Sequence, residues 1–440
     1  MNVLLIQAPL GRKQNPVYPI GLSYIASSIT GKHTVKIIDS NISSKTEIQD
    51  LHKKFDPDVV GIGLRNIDSV QSFESYSYFQ HFPPFVKWIS SLSSKQVIIV
   101  GGAGFSIFPV EIMKKCKEIN YGIYLEGEES FPELLENLDN PANTKGVYYR
   151  DNDKILFSGQ NHLPDFAKEP APTRMIDPKH YQNETYQLGV QTKRGCSHRC
   201  LYCNYPFLNG NIMRCRDTKQ VVDEIEDLVR RFKIKKLFFA DGIFNEPKNH
   251  SVEICQEIIN RNIKIKWGAY FSIRGFDQSF KDLAANAGCE LFDFAPDGLS
   301  QSALDSLIKD IKSSQIKEVM NLFKKSDYPR FGLNLMFNKP KIKLRELFFL
   351  AKAVIFWPIK YNSLEFVGLT NMRIYPQTPL HQFAINENII SKEDDLFKTT
   401  VYDPFPVNII SKTLRISKPF LRKIKRILVR KYSRGDQFRK

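Results

Sequence analysis

The sequence predicts an α/β protein in two parts: an N-terminal doubly wound, flavodoxin-like parallel sheet, followed by a partial (β/α)6 TIM-like barrel. Three observations predict it. Short β-rich runs alternate with helical patterns over residues 1–140, and do so again over 186–375. Between them, residues 160–185 carry Pro164, Pro170, Pro172 and Pro178 with little periodicity, as an interdomain connection does. The chain has 440 residues, more than one core usually organises.

In the first part, strands are expected at Val3–Gln7, Thr34–Asp39, Val59–Leu64, Val97–Gly102 and Tyr121–Glu126. Helices are expected near 21–29, 45–54, 79–94, 109–117 and 130–138. Five such units build a parallel sheet, whose ligands sit beyond the carboxyl ends of the strands. The loops Ala8-Pro9-Leu10, Leu64-Arg65-Asn66 and Gly101-Gly102-Ala103-Gly104 then share one binding rim. Residues 146–159 read as a hairpin turned at Asp151-Asn152-Asp153, so 141–185 is assigned as hairpin and linker.

In the second part, strands are expected at 186–193, 236–241, 264–272, 289–296, 330–338 and 363–373. Val221, Val222, Ile225, Leu228, Val229 and Phe232 recur at helical spacing, with Asp217 or Thr218 as N-cap. Barrels of this type place their chemistry on the loops after the strands. Residues 376–440 form a less regular C-terminal extension. Within 418–432, Phe420, Leu421, Ile424, Ile427 and Leu428 share one helical face.

Composition narrows the class. Hydrophobic residues at 42% and charged residues at 25% suit a soluble globular chain, with no apolar run long enough to span a membrane. Met1–Ile6 lacks a basic n-region and reads as a strand rather than a signal peptide. The seven cysteines are odd in number and three crowd into eight residues, which favours reduced thiols in the cytoplasm over a disulfide framework. Residues 411–440 hold twelve Lys or Arg and one acid, so +11 of the net +16 belongs to a tail. The folded body needs no nucleic-acid partner. The tail reads as a basic amphipathic helix, packed on the barrel or in peripheral contact with an anionic membrane.

The most specific segment is Lys193-Arg194-Gly195-Cys196-Ser197-His198-Arg199-Cys200-Leu201-Tyr202-Cys203. Three thiolates on a short loop can ligate three irons of a cubane, leaving the fourth iron open to a substrate. Gly195 allows the sharp turn, and Arg194 and Arg199 offer positive charge to an anionic cluster. The alternatives are a zinc knuckle completed by Cys215 or His198, and plain buried cysteines. Zinc sites usually pair two short motifs, and no second pair follows.

Cys-x3-Cys-x2-Cys after the first strand of a partial barrel resembles the radical S-adenosylmethionine superfamily. The resemblance implies that Cys196, Cys200 and Cys203 hold a 4Fe-4S cluster. S-adenosylmethionine would chelate its open iron and yield a 5′-deoxyadenosyl radical, the cofactor carrying the chemistry. It also implies S-adenosylmethionine contacts from Tyr202, Ala240, Asp241, Ser272, Arg274 and Asp297, with an electron donor such as flavodoxin or ferredoxin. Asp241 and Asp297 could equally be turn or cap residues.

Tyr18-Pro19-Ile20-Gly21-Leu22, Ile37-Ile38-Asp39, Gly101-Gly102-Ala103-Gly104-Phe105, Leu125-Glu126-Gly127-Glu128 and Arg373-Ile374-Tyr375-Pro376 resemble the subgroup with an N-terminal cobalamin-binding domain. The resemblance covers residues 1–400, and implies a cobalamin site at Leu10, Arg65, Asn66, Gly101, Gly102 and Glu126. One departure stands out: Asp-x-His-x-x-Gly, whose histidine ligates cobalt in many cobalamin proteins, is missing. His33, His52 and His81 lack that context, leaving the lower face unligated or met by another side chain, at Arg65 or Asn66.

Together the two cofactors imply methyl transfer from methylcobalamin to an unactivated carbon of a small molecule. Rearrangement, cyclisation or oxidation with the same radical and without methyl transfer, with cobalamin kept or lost, is the second reading. Methylthiolation is disfavoured because Cys116 is the one cysteine in the N-terminal part. A cobalamin sensor would not need the cysteine triad.

Overall fold

The computed structural model describes residues 1–11, 15–71, 74–169, 171–182, 186–324, 327–342 and 344–403. The tail from 411 onward, with its expected amphipathic helix, lies outside the described residues.

The first set of strands is β1 (Asn2–Gln7), β2 (Thr34–Asp39), β3 (Val59–Gly63), β4 (Asp68–Gln71), β5 (Glu74–Ser77), β6 (Val97–Gly101), β7 (Tyr121–Ile123), β8 (Val147–Asp151) and β9 (Lys154–Phe157). Seven of them form one sheet in the order β2-β1-β3-β6-β7-β8-β9. The first five run parallel in flavodoxin order, with the topological switch beside β1. The β8–β9 hairpin, turned at Asn152 and Asp153, adds two antiparallel strands to that sheet. Val3 and Leu5 bury into one apolar layer and Leu4 and Ile6 into another. A sheet covered on both faces needs this continuous apolar run.

The second set is β10 (Gly189–Val190), β11 (Lys193–Arg194), β12 (Arg214–Cys215), β13 (Lys236–Phe239), β14 (Lys266–Phe271), β15 (Cys289–Asp297), β16 (Arg330–Met336) and β17 (Leu364–Thr370). The sheet order is β10-β13-β14-β15-β16-β17-β4-β5. Six parallel strands build the partial barrel, and the β4–β5 hairpin of the N-terminal part extends it antiparallel to β17. Thus two hairpins cross the expected boundaries: β8–β9 joins the first sheet and β4–β5 the second. The helix Thr218–Phe232 buries Val221, Val222, Ile225 and Leu228, and Asp217 caps it by accepting from the Lys219 and Gln220 N–H groups.

Three expected elements change. The strand expected over 186–193 shrinks to Gly189–Val190, because Lys193–Arg194 turns away to pair with β12. The helix expected over 79–94 begins as a 3-10 turn at Phe79–His81 and ends at Ser90. The helix expected over 109–117 is preceded by a short one, Ala103–Ile107.

The two parts share one core. A single buried cluster contains Val3, Leu5 and Ile99 of the first sheet, Tyr181 of the connection, and Trp267 and Phe292 of the barrel. Tyr181 also donates to Asp39 at 2.8 Å, tying the connection to the end of β2. Among the described residues no helix is long and apolar enough to cross a membrane.

Candidate functional site

The antiparallel pair β11–β12 closes the cysteine loop at its base. Gly195 has φ +89°, and a Cβ there would stand 1.9 Å from the Ile212 carbonyl oxygen, so no other residue fits this turn. The Cys196 N–H donates to Gly210 at 3.1 Å, and the Leu201 N–H to Leu307 at 3.0 Å. The stem is fixed from below by Asp241, which accepts from the Thr192 N–H at 2.8 Å, the Thr192 hydroxyl at 2.6 Å and Lys193 Nζ at 3.3 Å. Both oxygens of this buried carboxylate are engaged, so Asp241 acts on the loop through its stem.

Cys196, Cys200 and Cys203 carry free thiols. Burial pushes all three up, Cys203 to about 12; Cys196 also raises Cys200, and both raise Cys203. Opposing this, the His198 N–H bonds to Cys196 and the Tyr205 N–H to Cys203. Lys309 lowers all three thiols. Burial works against the charge on Lys309, but Asp297 and Cys200 outweigh it and hold the ammonium above its ordinary range. Among the described residues, no three His, Cys, Asp or Glu side chains converge on one metal ion. A cubane spreads its thiolates over three irons, and three free thiols on one short loop are the donor set it requires. Loading iron onto thiols this high displaces protons.

Two candidates meet beside the triad: the Tyr202 hydroxyl donates to Asp297 Oδ2, which also pairs with Lys309. Lys309 donates to the Ala295 carbonyl at 3.0 Å as well. No spacing in the sequence marks Lys309. Of Arg194 and Arg199, expected to offer the cluster its positive charge, Arg199 is exposed and Arg194 is paired with carboxylates of the N-terminal domain.

Arg194 is buried against the N-terminal domain, pairing with Glu126 at 2.9 Å and Glu128 at 2.7 Å and facing the rings of Tyr24 and Phe166. Glu126 takes Arg214 too, at 3.1 Å and through a second, shorter contact. Glu126 was expected at the cobalamin rim. Its carboxylate pairs with two arginines that flank the cysteine loop, and it clamps the domains together.

On the other side of the triad, Glu246 accepts from His198 at 3.0 Å and Arg274 at 2.7 Å. Burial disfavours its charge, yet the hydrogen bonds from His198, Arg274 and Ser272 bring it down to about 2. Asn245 clamps Ser272, accepting from its N–H at 2.7 Å and donating to its carbonyl at 3.1 Å. Ser197, Asn245, Glu246 and Arg274 line a cavity of about 370 Å³. The sequence marked Ser272 and Arg274, and missed the His198–Glu246 pair that holds Arg274.

The opposing rim is built by the N-terminal strand ends. Asn41 fixes one loop by accepting from the Leu10 N–H at 2.8 Å and donating to Ala8 at 3.2 Å. Gly102 has φ +98°, and a Cβ there would lie 2.8 Å from the Leu64 carbonyl oxygen. The Leu64 N–H in turn donates to Gly101 at 2.8 Å. The two glycines therefore bring two rim loops into backbone contact. Arg65 and Asn66 are exposed at this rim. Arg65 is reached by solvent yet closely surrounded, so desolvation lowers it, and its electrostatic neighbours are Tyr270 of β14 and Tyr78. It looks across into the barrel mouth. His52 is engaged by Gln96 and His81 by Tyr76.

Residues 8–135 match the B12 binding domain, and residues 190–350 match the Radical SAM superfamily. The chain is 26% identical to the uncharacterised methyltransferase PH0819 of Pyrococcus horikoshii, over 94% of this chain and 91% of that protein. Its fold is similar to that of the radical S-adenosylmethionine methyltransferase TsrM from Kitasatospora setae, with a TM-score of 0.75 at 20% identity, covering 88% of this chain and 76% of that one. The cobalamin-dependent S-adenosylmethionine radical enzyme OxsB gives a TM-score of 0.73 at 16% identity, covering 94% and 66%.

Proposed function

We propose, from the premise that this chain joins a B12 binding domain to a radical SAM domain, that it is an enzyme methylating an unactivated carbon of a small molecule. The observation that carries the reading is the clamp of Glu126 on Arg194 and Arg214, because it turns the rim of the first sheet toward the cysteine loop. Similarity to the methyltransferase PH0819 across nearly the whole chain supports the same reaction.

Three cofactors follow from the two domains: a 4Fe-4S cluster, S-adenosylmethionine and cobalamin. When bound, they supply hydrogen-atom abstraction and a transferable methyl group. The protein's part is to hold and shield. Cys196, Cys200 and Cys203 would ligate the cluster, and Lys309 would offset its negative charge at short range. Asp297, held by Tyr202 and Lys309, would accept from a ribose hydroxyl. Ala240, Ser272 and Arg274 would border the methionyl group. Leu10, Arg65, Asn66, Gly101 and Gly102 would border cobalamin, with Arg65 or Asn66 at its lower face in place of a histidine.

Reduction would come from a flavodoxin- or ferredoxin-type donor, in a cytoplasm that keeps the seven cysteines free. The basic tail, residues 411–440, would supply any peripheral membrane contact. No nucleic acid is required.

The test is anaerobic turnover of the reconstituted full chain with methyl-deuterated S-adenosylmethionine and a small-molecule extract of host cells. Deoxyadenosine, S-adenosylhomocysteine and a deuterated product are expected together. Deoxyadenosine without homocysteine or label would overturn methyl transfer and leave rearrangement, cyclisation or oxidation.

A further inference from the structure

Along the barrel strands, side chains alternate between the helices outside and the lumen within. On β15, Phe292 and Phe294 pack outward against Phe271, Phe276 and Phe323, so Asp293 points inward. By the same alternation Phe238, Tyr270, Asn334 and Phe366 face the lumen. Near the amino-terminal end of the strands, Glu290 closes it as an ionic floor. Its carboxylate takes Lys236 at 3.1 Å, Lys266 at 3.0 Å and the Tyr186 hydroxyl at 2.8 Å, with Arg330 at 3.8 Å.

Asp293, three residues nearer the active face, is treated differently. It is only 8% exposed. Oδ1 accepts from Asn334 Nδ2 at 2.7 Å, and no described residue donates to Oδ2. Among the described residues no ammonium or guanidinium pairs with it. Burial accordingly raises its carboxyl to about 7, against the opposing Asn334 hydrogen bond. A buried carboxylate with one neutral donor is costly, and the floor shows that this barrel can supply cations where it needs them.

Two glycines let neighbouring side chains close in around this group. A Cβ at Gly368 would lie 2.5 Å from Asn334 Oδ1, and one at Gly332 would lie 2.3 Å from the Phe366 ring. Glycine inside a strand weakens the strand and marks close approach by another group. Here Gly368 admits the amide that orients Asp293, and Gly332 admits the Phe366 ring as a wall.

We propose that Asp293, oriented by Asn334, is the carboxylate that recognises the substrate, and that the substrate is a small molecule presenting an ammonium group to Oδ2 between aromatic walls. This rests on the methyl-transfer reading for what happens after binding, but the recognition can be measured without turnover.

The probe is benzylamine, titrated into the full chain by ligand-observed NMR, with benzyl alcohol and phenylacetate as neutral and anionic counterparts. Saturable binding of benzylamine alone is expected, weakened at least tenfold by Asp293→Asn and less by Asn334→Ala, which keeps the carboxylate and loses its orientation. The Asn334 variant also serves if Asp293→Asn fails to fold. Equal binding of the three probes, no saturable binding, or unchanged affinity in the variants overturns the proposal. None of these outcomes depends on cofactor loading, so failure of methyl transfer would appear only in the product analysis above.

Discussion

Replacing Glu126 by alanine removes the carboxylate shared by Arg194 and Arg214. Arg214 would keep the carbonyls of Pro164 and Asn209, and Arg194 would keep Glu128 and two aromatic rings. Breaking a buried ion pair by deleting one partner costs about 3–5 kcal/mol, and the remaining partners here place the loss near the lower figure. At about 2.1 cal/mol/K per residue, unfolding 440 residues carries an entropy near 0.9 kcal/mol/K, so a loss of about 3 kcal/mol should lower melting by about 3–4 °C. Glu126→Gln keeps the shape and one acceptor, and should lose only about 1–2 kcal/mol. Differential scanning calorimetry of full-length proteins measures both, and limited proteolysis reports whether the 160–185 connection opens. If Glu126→Ala melts within about 1 °C of the parent, or Glu126→Gln is as damaging, the ionic clamp does not hold the domains together.

Three further outcomes are expected. Cys200→Ser should cut iron and acid-labile sulfide in the reconstituted protein several-fold, measured colorimetrically, whereas a merely structural cysteine would leave them unchanged. Gly195→Ala places a methyl against the Ile212 carbonyl at positive φ, so it should disturb the cysteine loop and lower iron content too, by destabilisation of about 2 kcal/mol or more. Asp293 supplies a pH signature. Its folded carboxyl is raised from 3.8 to about 7, so ionisation is disfavoured in the fold, and its own contribution to stability is full below pH 4 and is lost as pH rises through 7. Asp293→Asn should therefore stabilise the protein by at most about 4 kcal/mol at pH 8 and by almost nothing at pH 4. Equal melting shifts at both pH values would refute the buried charge.

How much could be read in advance depended on the sequence distance over which each feature is encoded. The cysteine loop is local, and Gly195 was legible because the turn and the glycine adjoin. The parallel strands were legible because each is an apolar run bounded by turn residues. The first barrel strand was overextended because the Thr192 N–H turns to the Asp241 carboxylate, a partner 49 residues away, instead of continuing the ladder. Glu126 lay in a visible acidic motif, but its arginines are 68 and 88 residues distant, so its task could not be inferred from neighbours. Lys309 belongs to the same class: its meaning comes from Asp297 and the triad, not from any spacing of its own. Asp293 sits in an ordinary strand pattern, and only the closed lumen reveals that its second oxygen is unshared.

The strand order of the barrel has a consequence for synthesis. β4 leaves the ribosome early, but its partner β17 is encoded about 300 residues later, which is roughly 15–60 s at ordinary elongation rates. During that interval the β4–β5 hairpin waits with an unpaired edge, beside a first sheet that already has its parallel strands. The barrel, for its part, gains its last neighbours only from chain made before any of its own strands. A fragment beginning at the barrel would leave β17 as an open edge, prone to pair with other chains. Separate expression of the two halves should therefore yield an aggregating C-terminal half, and co-expression should rescue it only if the hairpin can still reach β17.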